Sequence, residues 1–257
     1  LKNKHQGDMA MIEIKNLKKS FGDISVLDDI NLKIDNGEFC VLLGSSGSGK
    51  STILKILSSL ENFDSGEIKF GSQSFKNKIP NSKERQIIMQ HYCLMPWLTT
   101  LDNIKFALKC SGLKDKKLID EIAKKYLSLV GLKDKMNLYP NSLSGGQSQR
   151  VAIARALSLD PKVLFLDEPF SALDPVVRAN LQNELKILMQ NKQVIFVTHD
   201  IDEAILLGDK IVILHAGKII KELQNPKFTP NTPKYFELKS TIYKLINGQV
   251  EDIEYMI

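Results

Sequence analysis

Phe39-Cys40-Val41-Leu42-Leu43-Gly44-Ser45-Ser46-Gly47-Ser48-Gly49-Lys50-Ser51-Thr52-Ile53-Leu54 decides how the rest of this chain is read. Five apolar residues of buried-strand character run into a glycine-rich loop. Ile53, Ile56 and Leu57 then fall on one face of a helix that the loop opens. The loop has the pattern G-x-x-x-x-G-K-[ST], a P-loop. Its glycines let successive backbone N–H groups turn inward onto phosphate oxygens, and the helix N-terminus adds a partial positive charge. Gly44, Ser45, Ser46, Gly47, Ser48, Gly49, Lys50, Ser51 and Thr52 are therefore the candidate phosphate-binding residues. Lys50 can reach the β- and γ-phosphates, and Ser51 can ligate Mg²⁺. Alone, this pattern implies only a bound nucleoside triphosphate.

The composition fits that chemistry without adding to it. The chain has 257 residues, 43% of them hydrophobic and 25% charged, the make-up of an ordinary globular protein of one large or two small domains. Its longest apolar runs, such as Val163-Leu164-Phe165-Leu166, are far too short to span a bilayer. Leu1 to Asp8 is polar with no apolar core behind it, so no secretory signal is expected, and Met9 or Met11 is a candidate start. Cys40, Cys93 and Cys110 have no metal-ligand spacing, and reduced thiols are expected. A net charge of +5 with acids mixed throughout points to a solvated surface and away from a nucleic-acid groove. Arg occurs only at Arg85, Arg150, Arg155 and Arg178. The first three lie near the motifs, where a rigid five-donor fork is useful.

Along the chain, Met11–Leu17 and Ile30–Ile34 alternate as half-buried antiparallel strands do. Glu67–Phe70 and Gln86–Gln90 read as strands, the latter ending at Gln90. From Leu101 to Leu132 the period is helical, with Ile119, Ile122, Ala123, Tyr126, Leu127 and Val130 in one stripe closed by Gly131. A helix over about 145–157, a strand at Val163–Leu166, a helix over 178–190 and strands at Val194–Val197 and Lys210–Leu214 follow. Prolines at 226, 230 and 233 precede a short helical tail, roughly 235–246. The order predicts a mainly parallel α/β core with an antiparallel β part and a helical insert.

Two later motifs sharpen the functional reading. Leu143-Ser144-Gly145-Gly146-Gln147 opens the 145–157 helix with glycines suited to an anion. Val163-Leu164-Phe165-Leu166-Asp167-Glu168 is an apolar strand ending in two acids. Such a strand delivers Asp167 beside Mg²⁺ and leaves Glu168 to orient or deprotonate water.

A P-loop, Leu-Ser-Gly-Gly-Gln and an acidic strand end, in that order, resemble the ATP-binding subunit of ABC transporters over about Ile12 to Leu223. The resemblance implies a P-loop NTPase (RecA-like) α/β core with an antiparallel β subdomain and an inserted α-helical subdomain. The expected organisation is a flexible segment at 1–10, an ABC ATPase domain at 11–225 with its helical insert at about 91–155, and a helical tail at 226–257. It places Phe21 as the adenine-stacking aromatic, with simple core packing as the alternative. It places Gln90 in the Q-loop near Mg²⁺ and water, and His199 as the switch that senses the γ-phosphate. Ser171-Ala172-Leu173-Asp174 becomes the D-loop, with Asp174 touching nucleotide or merely capping the next helix. Ser144, Gly145, Gly146 and Gln147 are then expected to meet ATP held by an opposing copy. The expected cofactors are ATP and Mg²⁺, with Ser51, Gln90 and Asp167 as the metal set.

Met95-Pro96-Trp97-Leu98-Thr99, Tyr139-Pro140 and Thr198-His199-Asp200-Ile201-Asp202-Glu203-Ala204 resemble the nitrate/sulfonate/taurine/thiamine-precursor importers. His91 and Ser148 depart from that group's usual pattern. Met95 to Leu98 is expected to form a surface patch for a permease, the alternative being that Trp97 is core. The length is expected to leave no room for the β-rich regulatory domain of sugar importers. No fused membrane domain, long coiled coil or second cassette is expected, and Asn191-Lys192-Gln193-Val194 lacks the acid of a GTPase motif. The implied partners are a second copy closing head to tail, integral membrane permease subunits and, indirectly, an external solute-binding protein, with no nucleic acid. The implied place is peripheral, on the cytoplasmic face of the plasma membrane. The alternative is an ABC ATPase that drives lipoprotein release or cell-wall signalling.

Overall fold

The computed structural model describes residues 11–171, 173–189 and 192–247. The expected N-terminal segment at 1–10, the end of the tail at 248–257 and Ala172 of the expected D-loop lie outside the described residues. The chain divides into two compact units, residues 11–80 with 192–247 and residues 81–189.

The first unit begins with β1 (Ile12–Phe21) and β2 (Ile24–Ile34), then β3 (Phe39–Gly44), α1 (Lys50–Leu57), β4 (Ser65–Phe70) and β5 (Gln73–Phe75). β1 and β2 form an antiparallel hairpin with register Ile12↔Ile34 and Phe21↔Ile24, and the sheet runs in the order β2-β1-β4-β5. Alternation explains it: Ile12, Ile14, Leu17, Leu27, Ile30, Leu32 and Ile34 are buried while their neighbours face out. Both strands run longer than their alternating cores because the tip is held by backbone pairing.

The second unit holds β6 (Arg85–Ile88), α2 (Thr100–Cys110), α3 (Lys116–Leu129), α4 (Gly145–Leu157), β7 (Val163–Asp167) and α5 (Pro175–Leu188). β6 and β7 pair in parallel, Arg85 against Val163 and Ile88 against Leu166. β6 stops at Ile88, so Gln90 sits in a turn beyond the strand and does not end it as expected. The helical period over 101–132 is carried by two helices, separated at a turn through Gly112 with φ +93°. The α3 stripe is as expected, with Ile119, Ala123, Leu127 and Val130 buried and Gly131 turning at φ +71°.

The chain returns to the first unit through β8 (Gln193–Thr198), α6 (Ile201–Leu207), β9 (Lys210–His215), β10 (Lys218–Gln224) and α7 (Pro233–Ile246). β3 pairs in parallel with β8 on one side and with β9 on the other, and β10 closes antiparallel on β9. β3 and β8 are buried along their whole length, and β9 to Leu214, as strands covered on both faces must be.

Candidate functional site

In the first unit the P-loop is the turn from β3 into α1. Gly47 and Gly49 have φ of +80° and +98°, conformations that side chains resist. A Cβ at Gly49 would stand 2.5 Å from Leu27 Cδ2, so the loop lies against β2 with no room to spare. Ser45, Ser46 and Gly47 are exposed while Gly44, Ser48, Gly49 and Lys50 are buried, which makes a shallow cradle with a fixed rim. Ser51 and Thr52 are half-buried in the first turn of α1.

That first turn is unusual. Each of the other six α-helices of the described residues has a side-chain oxygen at its N-cap accepting a backbone N–H: Thr99, Asp115, Ser144, Asp174, Asp200 and Thr232. α1 has Gly49 there and no side-chain cap. A helix start without a side-chain cap turns its backbone N–H groups and partial positive charge toward an anion, and a phosphate suits that place. The Lys50 ammonium is buried and donates 2.8 Å bonds to both Gly44 O and Ser45 O. A cation held against its own loop, at the uncapped end of a helix, suits a polyphosphate.

Two more expected residues lie in this unit. The register Leu43↔Thr198 aligns the ends of β3 and β8, so His199 leaves the sheet beside Gly44. His199 is exposed, and its turn is pinned: Thr198 Oγ1 donates to Glu203 Oε2 at 2.6 Å and accepts Asp200 N–H at 3.0 Å. Phe21, at the tip of the first hairpin, is 48% exposed, which rules out simple core packing. Lys19 Nζ stands 4.7 Å from its ring centroid.

The second unit collects the rest. Asp167, buried, ends β7, and Glu168 follows with φ +43°, a left-handed geometry rare for a non-glycine residue. Glu168 O accepts from Ser171 Oγ at 3.0 Å, and Ser171 Oγ accepts from Gln90 Nε2 at 3.3 Å. Gln90 and the Glu168 turn are thereby joined through one serine. The segment after Gln90 is strained, with Tyr92 and Cys93 at φ +55° and +47°. Arg155 of α4 holds it, donating to Cys93 O at 2.7 Å and Tyr92 O at 2.8 Å. Burial raises the Tyr92 phenol above its ordinary pKa, so it stays a neutral donor to Pro169 O.

The Leu-Ser-Gly-Gly-Gln motif opens α4. Gln147 N–H donates to Ser144 Oγ, and Ser144 N–H donates to Gln147 Oε1, a reciprocal capping box. Ser144 and Gly145 are exposed, whereas Gly146 is buried against α5. Asp174 Oδ1 accepts Val177 N–H at 3.0 Å and so caps α5. The bland reading of Asp174 holds as a structural fact.

Residues 27–171 match the family described as "ABC transporter", more than half of the chain. The chain belongs to the ABC transporter family. A sulfate/thiosulfate import ATP-binding protein, CysA, of Halalkalibacterium halodurans is 43% identical over 87% of this chain and 64% of its own length. A spermidine/putrescine import ATP-binding protein, PotA, of Fusobacterium nucleatum is 43% identical over 82% of this chain and 56% of its own. This chain thus spans roughly three fifths of these two relatives. A probable sulfate/thiosulfate import ATP-binding protein of Chlorella vulgaris is 46% identical and covered over 89% of its length. Among solved structures, the ATP-binding cassette MJ0796, a dimer in a post-hydrolysis state bound to ADP and Pi, is 34% identical with a TM-score of 0.74. It is covered over its whole length and aligns with 84% of this chain. The fold is therefore that of an ABC cassette, a P-loop NTPase core of mixed α and β structure.

Three features of this family member were not read from the sequence. Arg155 forks onto two strained carbonyls, a role that the scarcity of Arg hinted at. Asn103 is fully buried and pegs the 95–99 segment, accepting Met95 N–H and donating to Met95 O, Leu98 O and Thr99 O. That peg leaves Trp97 69% exposed, so Trp97 is surface and not core. Asp202, on the first turn of α6, is tied to α7 by Tyr235 and Lys239. No helix of the described residues is long and apolar enough to cross a membrane.

Proposed function

We propose that this chain binds and hydrolyses Mg-ATP as the motor subunit of an ABC importer. The observation that carries the reading is the uncapped, glycine-turned start of α1 with the buried Lys50 ammonium folded onto its loop. Gly44 to Thr52 bind the phosphates through backbone N–H groups, and Lys50 exchanges its loop carbonyls for β- and γ-phosphate oxygens. Phe21 stacks on the base. Ser51, Gln90 and Asp167 supply Mg²⁺ ligands. Among the described residues no three His, Cys, Asp or Glu gather into a metal cage. Glu168 activates the attacking water, and His199 contacts the γ-phosphate.

Ser144, Gly145, Gly146 and Gln147 engage ATP held by a second copy in a head-to-tail dimer, with Asp174 beside it. The capping box supports this: Ser144 Oγ accepts from Gln147 N–H, which leaves its own proton to donate to phosphate. The subunit works peripherally at the cytoplasmic face of the plasma membrane, on permease subunits served by an external solute-binding protein. The cargo is a small anionic solute of the sulfonate or nitrate kind, or a thiamine precursor. The two bacterial relatives named above carry sulfate/thiosulfate and spermidine/putrescine in their names, at equal identity, so cassette similarity crosses cargo charge and the cargo reading rests on the sequence resemblance alone. Phosphate release from Mg-ATP by the purified chain tests the reading. Turnover that disappears in Lys50→Ala supports it; unchanged turnover in that variant sinks it.

A further inference from the structure

Asp202 sits two residues into α6, three positions after His199, and both of its carboxylate oxygens are taken by the C-terminal helix. Tyr235 Oη donates to Oδ1 at 2.5 Å and Lys239 Nζ to Oδ2 at 2.7 Å. Tyr235 is buried, so its hydroxyl arrives from a fixed ring. Burial works against the Asp202 charge, yet the bonds from Lys239 and Tyr235 outweigh it, and its pKa lies below the ordinary carboxylate value. Among the described residues, three fastenings bear on the turn that carries His199. Two are its own: the Thr198–Glu203 bond, and Asp200 Oδ1 accepting the N–H groups of Asp202 and Glu203 at 2.8 and 3.2 Å. The third comes from α7, more than thirty residues downstream in sequence.

The turn sets where the exposed His199 side chain leaves the backbone. α6 is only seven residues long, too short to hold its own start rigid without packing. Asn225 fastens the other end, donating from Nδ2 to Ile205 O at 2.7 Å and Gly208 O at 2.8 Å. With Asn225 at one end and the α7 clamp at the other, α6 behaves as a strut that fixes where His199 leaves β8. We propose that Tyr235 and Lys239 are positioning residues for hydrolysis, acting through Asp202 on the His199 turn. The inference rests on the proposed γ-phosphate role of His199.

The test uses the full chain and compares wild type with Tyr235→Phe, Lys239→Met, the double variant, and His199→Ala. Tyr235→Phe keeps the buried ring, and Lys239 is a partly exposed lysine, so packing survives either change. Steady-state ATP hydrolysis is read together with amide hydrogen exchange over residues 198–207. The double variant should lose roughly threefold to tenfold in kcat, the scale of a lost contact network, with the KM for ATP within about twofold. Exchange should quicken in 198–207 and stay unchanged in the P-loop segment. Tyr235→Phe with Lys239→Arg, which keeps a donor at that position, should regain most of the turnover that Tyr235→Phe with Lys239→Met loses. An unchanged kcat in the double variant overturns the proposal, as does a rise in KM alone or faster exchange throughout the first unit. Wild-type turnover in His199→Ala would instead overturn the His199 reading itself. Loss there, with full turnover in the double variant, would overturn only the clamp.

Discussion

Ser144 and Gln147 hold one another. Each accepts the other's backbone N–H, at 3.3 and 3.1 Å, so the Leu-Ser-Gly-Gly-Gln motif is structurally a capping box with a glycine first turn. The same two residues are proposed to meet phosphate, so stability and activity overlap in them. Their separation is testable. Aspartate is as good an N-cap as serine, whereas alanine costs about 1 kcal/mol. Ser144→Asp should therefore melt close to wild type, while Ser144→Ala melts lower. Aspartate also brings a negative charge to a proposed phosphate contact, so Ser144→Asp should lose nearly all ATP hydrolysis. Thermal melts and ATPase assays on both variants read the two effects apart; full turnover in Ser144→Asp would remove Ser144 from the phosphate contact.

Gly146 makes a second demand at the same helix start. A Cβ there would stand 2.7 Å from Val177 Cγ1 and 3.5 Å from Leu181 Cδ1. Valine cannot swing away as a flexible chain would, so Gly146→Ala should push α4 from α5 and cost about 1–3 kcal/mol. Adding Val177→Ala should return part of that loss. Urea unfolding of the single and double variants checks it, with non-additive effects as the expected sign of contact.

Much of this was legible in the sequence because local signals and global fold agreed. The helix 145–157 has a capping box and an apolar face, and β7 is an unbroken apolar run, so both lie where pattern alone put them. The α3 stripe was equally plain. β10 was not, because Lys218-Ile219-Ile220-Lys221-Glu222-Leu223-Gln224 is mostly exposed and owes its strand to backbone pairing with β9. α6 was missed because seven residues give too few turns for a period to show. The clamp on Asp202 had no local signal at all, since its partners lie 33 and 37 residues away. Gln90 was placed on the strand because the apolar run Ile87-Ile88-Met89 leads straight into it, whereas the ladder with β7 ends at Ile88.

Trp97 offers a test of partner contact. It is exposed while Asn103 fixes the backbone around it, so the ring contributes little to folding. Trp97→Ala should keep its stability within about 0.5 kcal/mol, as exposed substitutions do. Its basal ATP hydrolysis should also hold. Stimulation by permease subunits in vesicles should fall, because exposed aromatics are the usual anchors of interfaces. Undiminished stimulation would place the permease contact elsewhere.

The central claim is that two copies of this chain close over ATP and that Glu168 then activates water. Glu168→Gln keeps the size of the side chain and the left-handed turn at that residue while removing the base. Light scattering on a gel-filtration column, run with and without saturating Mg-ATP, reads the assembly directly, alongside steady-state phosphate release. The expected result is an ATP-dependent dimer, with kcat lower by about 10²–10⁴-fold, the range that general-base catalysis supplies. A chain that remains monomeric at saturating ATP, or that turns over at the wild-type rate, would contradict it.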